Sequence, residues 1–174
     1  MRFLVVSGVP LIYIHKVVLP SYCQEHREDD VQTMNLYFAC SLTGGRSEEA
    51  IYGVIVDHLL SQGHEVPTAH LAHPNVMDME QIVEPTEVYQ RDIVWIQTCD
   101  ALIAEVSTPS HGVGYEIGYA LSLGKPVLCC YRFGTPVSKM LTGNDSPNIV
   151  LREYRDEAEA RVVVEAFLAD LADV

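Results

Sequence analysis

A chain of 174 residues is long enough for one domain with a real core and leaves little room for a second. Hydrophobic residues make up 48% and charged residues 20%, the balance of a soluble globular protein and not of a disordered one. A formal charge of −13 excludes nucleic-acid polymers and anionic membranes as partners, because neither offers such a chain an attractive field. A single small anion stays admissible, since a few backbone amides can hold one phosphate locally.

Residues 1–33 read differently from the rest. The apolar run at the start is interrupted by Pro10, Lys16 and Pro20, which rules out a membrane-spanning helix of about 20 residues. Arg2 followed by apolar residues faintly resembles a signal peptide, yet no small-x-small cleavage site follows cleanly. A polar stretch over 21–33 comes next, and Met34 opens a clear strand. The domain is therefore expected over 34–174, with 1–33 a disordered arm or an over-called start.

From Met34 strands and helices alternate. Residues 36–41 form a short apolar run ending in the turn Thr43, Gly44, Gly45. Ile51, Val54, Ile55 and Leu59 then recur at helical spacing up to Gly63, and residues 64–67 read as a second short strand. The stretch 71–86 lacks apolar periodicity and reads as a long loop, a length that usually goes with function. A helix is expected over 88–98, a strand over 101–106, a helix over 114–123 and a strand over 126–131. A helix near 137–141, a strand over 148–152 and a helix over 156–171 complete the series. Strands rich in Val, Ile and Leu without alternation, each followed by a helix, predict a parallel sheet covered on both faces. Right-handed crossovers then give an α/β, doubly wound sheet of flavodoxin or Rossmann type, a three-layer sandwich whose ligands bind at the carboxyl ends of the strands.

The five cysteines are odd in number and contain no Cys-x-x-Cys pair, and Cys129 and Cys130 lie inside a predicted strand. Reduced core thiols and a cytoplasmic location, or a nuclear one in a eukaryote, are the expectation. The histidines include no His-Glu-x-x-His pair. His64, His70 and His73 near one loop read as solvated side chains, so no metal is expected.

Two carboxylates stand out. On the helix 88–98, Val88, Asp92, Trp95, Ile96 and Cys99 fall on one stripe, and Asp92 is the only charged member. A carboxylate facing a core is costly unless paired or set in a cleft, and both readings stay open. Glu116 borders the buried stripe Val113, Ile117, Ala120 and Leu121 in the first turn of its helix. It can merely compensate the helix dipole, but it also emerges at the ligand end of a central strand, beside Gly112 and Gly114. Two carboxylates converging on one cleft are what glycosidic cleavage needs: one attacks the anomeric carbon and the other manages the proton. Two segments suit an anion, Ser41 to Arg46 and Ser110 to Gly114, each a strand end opening a helix. The run Gly112 to Gly118 superficially suggests a dinucleotide fingerprint. Its third glycine arrives one residue late and it does not follow the first strand, so NAD binding is rejected and no cofactor is expected.

Taken together, Leu36 to Ser41, Arg91-Asp92 and the run Ala104 to Gly118 resemble the 2′-deoxynucleoside 5′-phosphate N-hydrolases, of the nucleoside 2-deoxyribosyltransferase superfamily. The resemblance runs from about Met34 to the C-terminus. It implies hydrolysis of deoxynucleoside 5′-monophosphates to base and sugar phosphate, with Glu116 as nucleophile of a covalent deoxyribosyl intermediate. Asp92 becomes the acid/base partner, and Tyr37 orients Glu116 and the sugar. By the same resemblance Ser41, Ser110 and Gly112 hold the 5′-phosphate, along with Thr43, Gly44 and Gly114 of the two anion segments. Ser138 reaches in from a neighbouring subunit, and His70 and Met140 line the base pocket. A homodimer and a five-stranded parallel sheet are implied. One departure stands out: members often read Gly-Ser-Ile-Arg-Gly-Gly after the first strand, where this chain has Cys40 to Gly45. Thr43 thus replaces an arginine, and Arg46, three residues on, is the substrate-binding candidate to compensate, although a longer arm from another backbone position is not equivalent. The rival readings are a deoxyribosyltransferase, which hands the sugar to another base, and a CMP-type ribonucleotide N-glycosidase. Outside enzymes, a nucleotide-binding or sensing module on the same fold is the alternative.

Overall fold

The computed structural model describes residues 33–80 and 82–172. All but the last residue of the expected arm over 1–33 lies outside them, as does Cys23.

Four strands form the sheet: β1 (Leu36–Ala39), β2 (Ala101–Glu105), β3 (Val127–Arg132) and β4 (Ile149–Tyr154). They pair in parallel in the order β1-β2-β3-β4, with Leu36 opposite Ala101, Leu102 opposite Val127 and Val127 opposite Ile149. The helices are α1 (Glu49–Ser61), α2 (Val76–Glu80), α3 (Pro85–Thr98), α4 (His111–Ser122), α5 (Lys139–Thr142) and α6 (Glu157–Ala172). No described helix is long and apolar enough to cross a membrane.

The alternation of side chains along β1 and β2 divides the core in two. Leu36, Phe38, Ala101 and Ile103 pack with Ile51, Ile55 and Leu59 of α1 and Val164 and Phe167 of α6. Tyr37, Ala39, Leu102 and Ala104 face the other way, onto Ile96 of α3 and Val113, Ile117 and Ala120 of α4. Every residue of β1 and β2 is buried, which is why their sequences run without polar alternation until Glu105 ends β2. Helix ends follow local chemistry: Pro85 occupies the first position of α3, Ser110 caps α4, and Gly63 follows α1 with φ of +84°.

The sheet has four strands among the described residues, not the five expected. Residues 64–67 make only a single parallel bridge, Asn35 to Glu65. Glu65 N donates to Met34 O at 2.8 Å and Leu36 N to Glu65 O at 2.8 Å. The next ladder donor belongs to Pro67, which has no N–H, so the pairing stops there. Phe38 N, left without a strand partner, donates instead to the Thr68 hydroxyl at 2.8 Å. The bridge flanks β1 on the side away from β2, so the chain reverses its direction of travel across the sheet between β1 and β2. Ligands of doubly wound sheets bind at such a reversal, beyond the carboxyl ends of the strands. The loop expected over 71–86 is partly helical, since a 3-10 turn over Ala69–Ala72 and α2 interrupt it.

Thr68 is completely buried, so Thr68→Val leaves the Phe38 N–H unsatisfied. The variant is expected to lose about 1–3 kcal/mol of stability in urea unfolding. An unchanged unfolding midpoint would show that this hydroxyl does not hold the sheet edge.

Candidate active site

At the reversal lies a pocket of about 480 Å³. Helix α3 contributes Val88, Arg91, Asp92 and Ile96 to its wall, α4 contributes Gly112, Val113 and Glu116, and the loop after β1 contributes Leu42 and Thr43. Asp92 and Glu116 therefore share one cavity although 24 residues separate them, because α3 and α4 lie side by side on the same sheet face.

Three hydrogen-bonding arrangements fix these carboxylates. Tyr37, wholly buried on β1, donates its phenol to Glu116 Oε1 at 3.0 Å. Arg91 Nε donates to Asp92 Oδ1 at 2.9 Å, and the same guanidinium donates to both oxygens of Glu80 at 3.2 and 3.4 Å. His70 Nε2 lies 3.0 Å from Glu80 Oε1. The Arg91 guanidinium also sits over the Trp95 ring at 4.8 Å, and the His70 ring meets Trp95 edge-on. The result is a continuous chain His70–Glu80–Arg91–Asp92 along one wall, facing Glu116.

Burial pushes the Glu116 carboxyl up from 4.5 to about 7; the Tyr37 hydrogen bond opposes the shift and the Asp92 charge adds to it. Burial also raises Asp92, against the hydrogen bond and charge of Arg91. The Tyr37 phenol is driven far above its usual range by burial and by the two carboxylates, so it stays a donor. Such a pair holds a proton near neutrality that either acid alone in water would have lost.

The other expected site residues divide into three groups. Thr43, Ser110 and Gly112 line the pocket with the carboxylates. Gly114, Ser138 and Met140 line a neighbouring pocket of about 370 Å³ instead; the two cavities share Ser110 and Val113. Ser110 Oγ accepts from Val113 N, and Ser138 Oγ accepts from Met140 N at 3.3 Å. His70 reaches the first pocket only through Glu80. The third group does not line either pocket with its side chains: Ser41 is fully buried, its hydroxyl without a partner among the described residues, and Gly44 lies against it. A Cβ on Gly44 would stand 2.4 Å from the Pro109 carbonyl oxygen and 2.8 Å from Ser41 Oγ, so only glycine lets the loops after β1 and β2 meet. Arg46 does not line the pocket. Its fork donates to the carbonyls of Leu71 and His73 at 3.0 and 3.3 Å and lies over Tyr52, so it cannot replace a cation at Thr43.

Glu80 was not legible as a site residue, because α2 is one short turn in a stretch without periodicity. Arg91 was, in principle: an arginine directly before a carboxylate on a core-facing stripe is its nearest available partner.

A parallel α/β domain with a tyrosine-supported carboxylate pair at its sheet reversal has the equipment of an enzyme acting on glycosidic bonds. Residues 36–165 match the family described as nucleoside 2-deoxyribosyltransferase. A Nematostella vectensis protein provisionally named 2′-deoxynucleoside 5′-phosphate N-hydrolase 1 is 40% identical over 130 residues, which is 72% of this chain and 88% of that one. The 5-hydroxymethyl-dUMP N-hydrolase of Danio rerio is 33% identical over 138 residues, 77% of this chain and 96% of that one. Among solved structures, the CMP N-glycosidase of Clostridium botulinum superposes with a TM-score of 0.59 at 21% identity, over 76% of this chain and 98% of that one. At that identity the likeness establishes the fold. The chain belongs to the nucleoside 2-deoxyribosyltransferase family, and within it to the 2′-deoxynucleoside 5′-phosphate N-hydrolases.

The raised Glu116 carboxyl has a consequence for stability. Between pH 4.5 and about 7 the folded chain holds a proton there that the unfolded chain has released. Stability from this group therefore falls as pH rises through that window and levels off above it. Glu116→Gln cannot titrate, so its melting temperature is expected to match the wild type near pH 4.5, to exceed it increasingly up to about pH 7, and to keep a constant lead above that. A difference that does not grow with pH would remove the buried titration from Glu116.

Proposed function

We propose that the chain hydrolyses the N-glycosidic bond of 2′-deoxynucleoside 5′-monophosphates, releasing the base and 2-deoxyribose 5-phosphate. The observation that carries this reading is the meeting of Glu116 and Asp92 in one pocket with Tyr37 bonded to Glu116. Glu116 attacks C1′ as a carboxylate, and the bonding pair of the C1′–N bond leaves with the base. Asp92 gives that nitrogen its proton. Water then attacks C1′ of the glycosyl ester, Asp92 takes the proton from it, and Glu116 is released. Tyr37 holds one Glu116 oxygen in place while the other faces the sugar. The ion pair with Arg91 favours the charged form of Asp92, so the proton shared by the pair moves onto Asp92 only when a base nitrogen is there to receive it. No cofactor takes part.

In this reading the 5′-phosphate lies at the N-terminus of α4, against Ser110 and Gly112, with Thr43 beside it. Glu80 and His70 bound the base. Ser138 and Met140 are exposed and do not line the Glu116 pocket of their own chain, which supports a homodimer in which they serve the other copy. The four described cysteines are buried and unpaired, in keeping with a reducing compartment such as the cytoplasm.

The test is a panel of deoxy- and ribonucleoside 5′-monophosphates and unphosphorylated deoxynucleosides, with 5-hydroxymethyl-dUMP among them, scored by chromatography for liberated base. Deoxynucleoside monophosphates are expected to react best. Incorporation of an added free base, with good turnover of unphosphorylated nucleosides, would make the chain a transferase instead. Glu116→Ala is expected to lower kcat by about a thousandfold or more, and Asp92→Asn by about a hundredfold. Binding of the monophosphate to Glu116→Ala, measured by calorimetry, persists. Unaltered turnover in that variant rules out Glu116 as nucleophile.

A further inference from the structure

A second carboxylate lies beneath the pocket and takes no part in the chemistry proposed above. Glu105, the last residue of β2, is wholly buried. It shares the sheet face of Ala101 and Ile103, which packs against α1 and α6, and so lies on the opposite side of the sheet from Glu116 and Asp92. No arginine or lysine among the described residues forms an ion pair with it. Three donors converge on its Oε1 instead: the Ser107 backbone N–H at 3.2 Å, the Ser107 hydroxyl, and the Tyr154 phenol at 2.8 Å. Its Oε2 has no partner among the described residues.

These donors tie together the ends of three strands. Ser107 begins the loop that leads to Ser110 and α4, and its hydroxyl also accepts from Arg132 N at the end of β3 at 2.7 Å. Tyr154 ends β4. Arg132 lies over the Tyr154 ring at 5.4 Å and donates from Nε to Glu48 at 2.8 Å, which brings in the residue that precedes α1. Pro109, in the middle of the same loop, meets Gly44 so closely that no side chain fits between them. Thus the start of the segment from Ser107 to Ser110 is held at Ser107 by one buried oxygen and by Arg132 N, its middle meets the loop after β1 at Pro109, and its end is tied to α4 through Ser110.

A buried carboxylate without a cation is an expensive way to fill a core position, and an apolar side chain there would be cheaper. What an apolar side chain cannot do is hold a backbone N–H and two hydroxyls in fixed directions. We infer that Glu105 is a positioning residue for substrate binding, setting the path of residues 107–110 so that Ser110 and the first turn of α4 present their donors to the 5′-phosphate. Glu105 itself touches no substrate, since the sheet lies between it and the pocket. The inference rests on the placing of the phosphate at α4 under the proposed function.

A change at Glu105 then affects how tightly the phosphate is held and not the chemistry at C1′. Glu105→Leu is expected to raise KM for a deoxynucleoside 5′-monophosphate about tenfold with kcat within about twofold of wild type. Turnover of the unphosphorylated deoxynucleoside, per unit kcat/KM, stays unchanged. Glu105→Gln retains the acceptor at Oε1 and is expected to keep KM within about threefold. Tyr154→Phe removes a single donor without creating a cavity, and repeats the KM effect at smaller size if Glu105→Leu does not fold. Equal changes for phosphorylated and unphosphorylated substrates, or a loss of kcat at constant KM, overturn the role given to Glu105. A wild-type enzyme with no preference for the phosphate overturns the placing of the phosphate, and this inference with it. A wild type that prefers the phosphate, with a Glu105→Leu variant that keeps its KM, overturns this inference alone.

Discussion

Two carboxylates that face one pocket repel each other and resist burial, and the rest of the site is arranged around that cost. Glu116 and Asp92 are held by different means. Glu116 receives a neutral donor, the Tyr37 phenol, which opposes the rise that burial gives its pKa without cancelling it. Asp92 receives a cation, Arg91, which is itself shared with Glu80. Burial raises both acids, so the pair can keep one proton near neutrality, and under the proposed reading that proton sits on Asp92 while Glu116 attacks as the carboxylate.

The constraint reaches into the fold. Tyr37 can meet Glu116 only because β1 lies next to β2 and α4 returns over the same face. Arg91 can reach Glu80 only because the stretch after residue 68 folds into α2 instead of staying extended, and Arg46 is what fastens that stretch, through the Leu71 and His73 carbonyls. The arginine that looked like a substitute ligand is a structural clamp one layer away from the chemistry.

Much of this was legible in the sequence, and the parts that were not share a reason. Asp92 announced itself as a charged residue on an apolar helical stripe, and Glu116 as an acid at a helix start beside glycines. Both signals are periodic, so they survive without a structure. The fifth strand was over-read because His64 to Pro67 has the composition of a strand; Pro67 removes the one donor needed to extend the ladder, and only the pairing partner reveals which donor matters. Glu80, the partner of His70 and Arg91, comes from an aperiodic segment, where composition says nothing about direction. The need for glycine at position 44 depends on the closeness of Pro109, 65 residues away, which no local pattern encodes.

The net charge of −13 argues against polyanions, and under the proposed reading the site still serves a small one. The pocket's own arginine is committed to two carboxylates, and the nearest other arginine points elsewhere. Under the proposed reading the phosphate is therefore held by directed N–H and hydroxyl donors at the start of α4, not by a facing cation. Directed donors act over a short range and lose their value when displaced by a fraction of an ångström, whereas a lysine or arginine side chain can follow its ligand. A site built this way needs its loop held rigidly from below. By the inference drawn above, the sheet end supplies that rigidity through three donors on one buried oxygen and a close approach at Gly44 that leaves no room for a side chain.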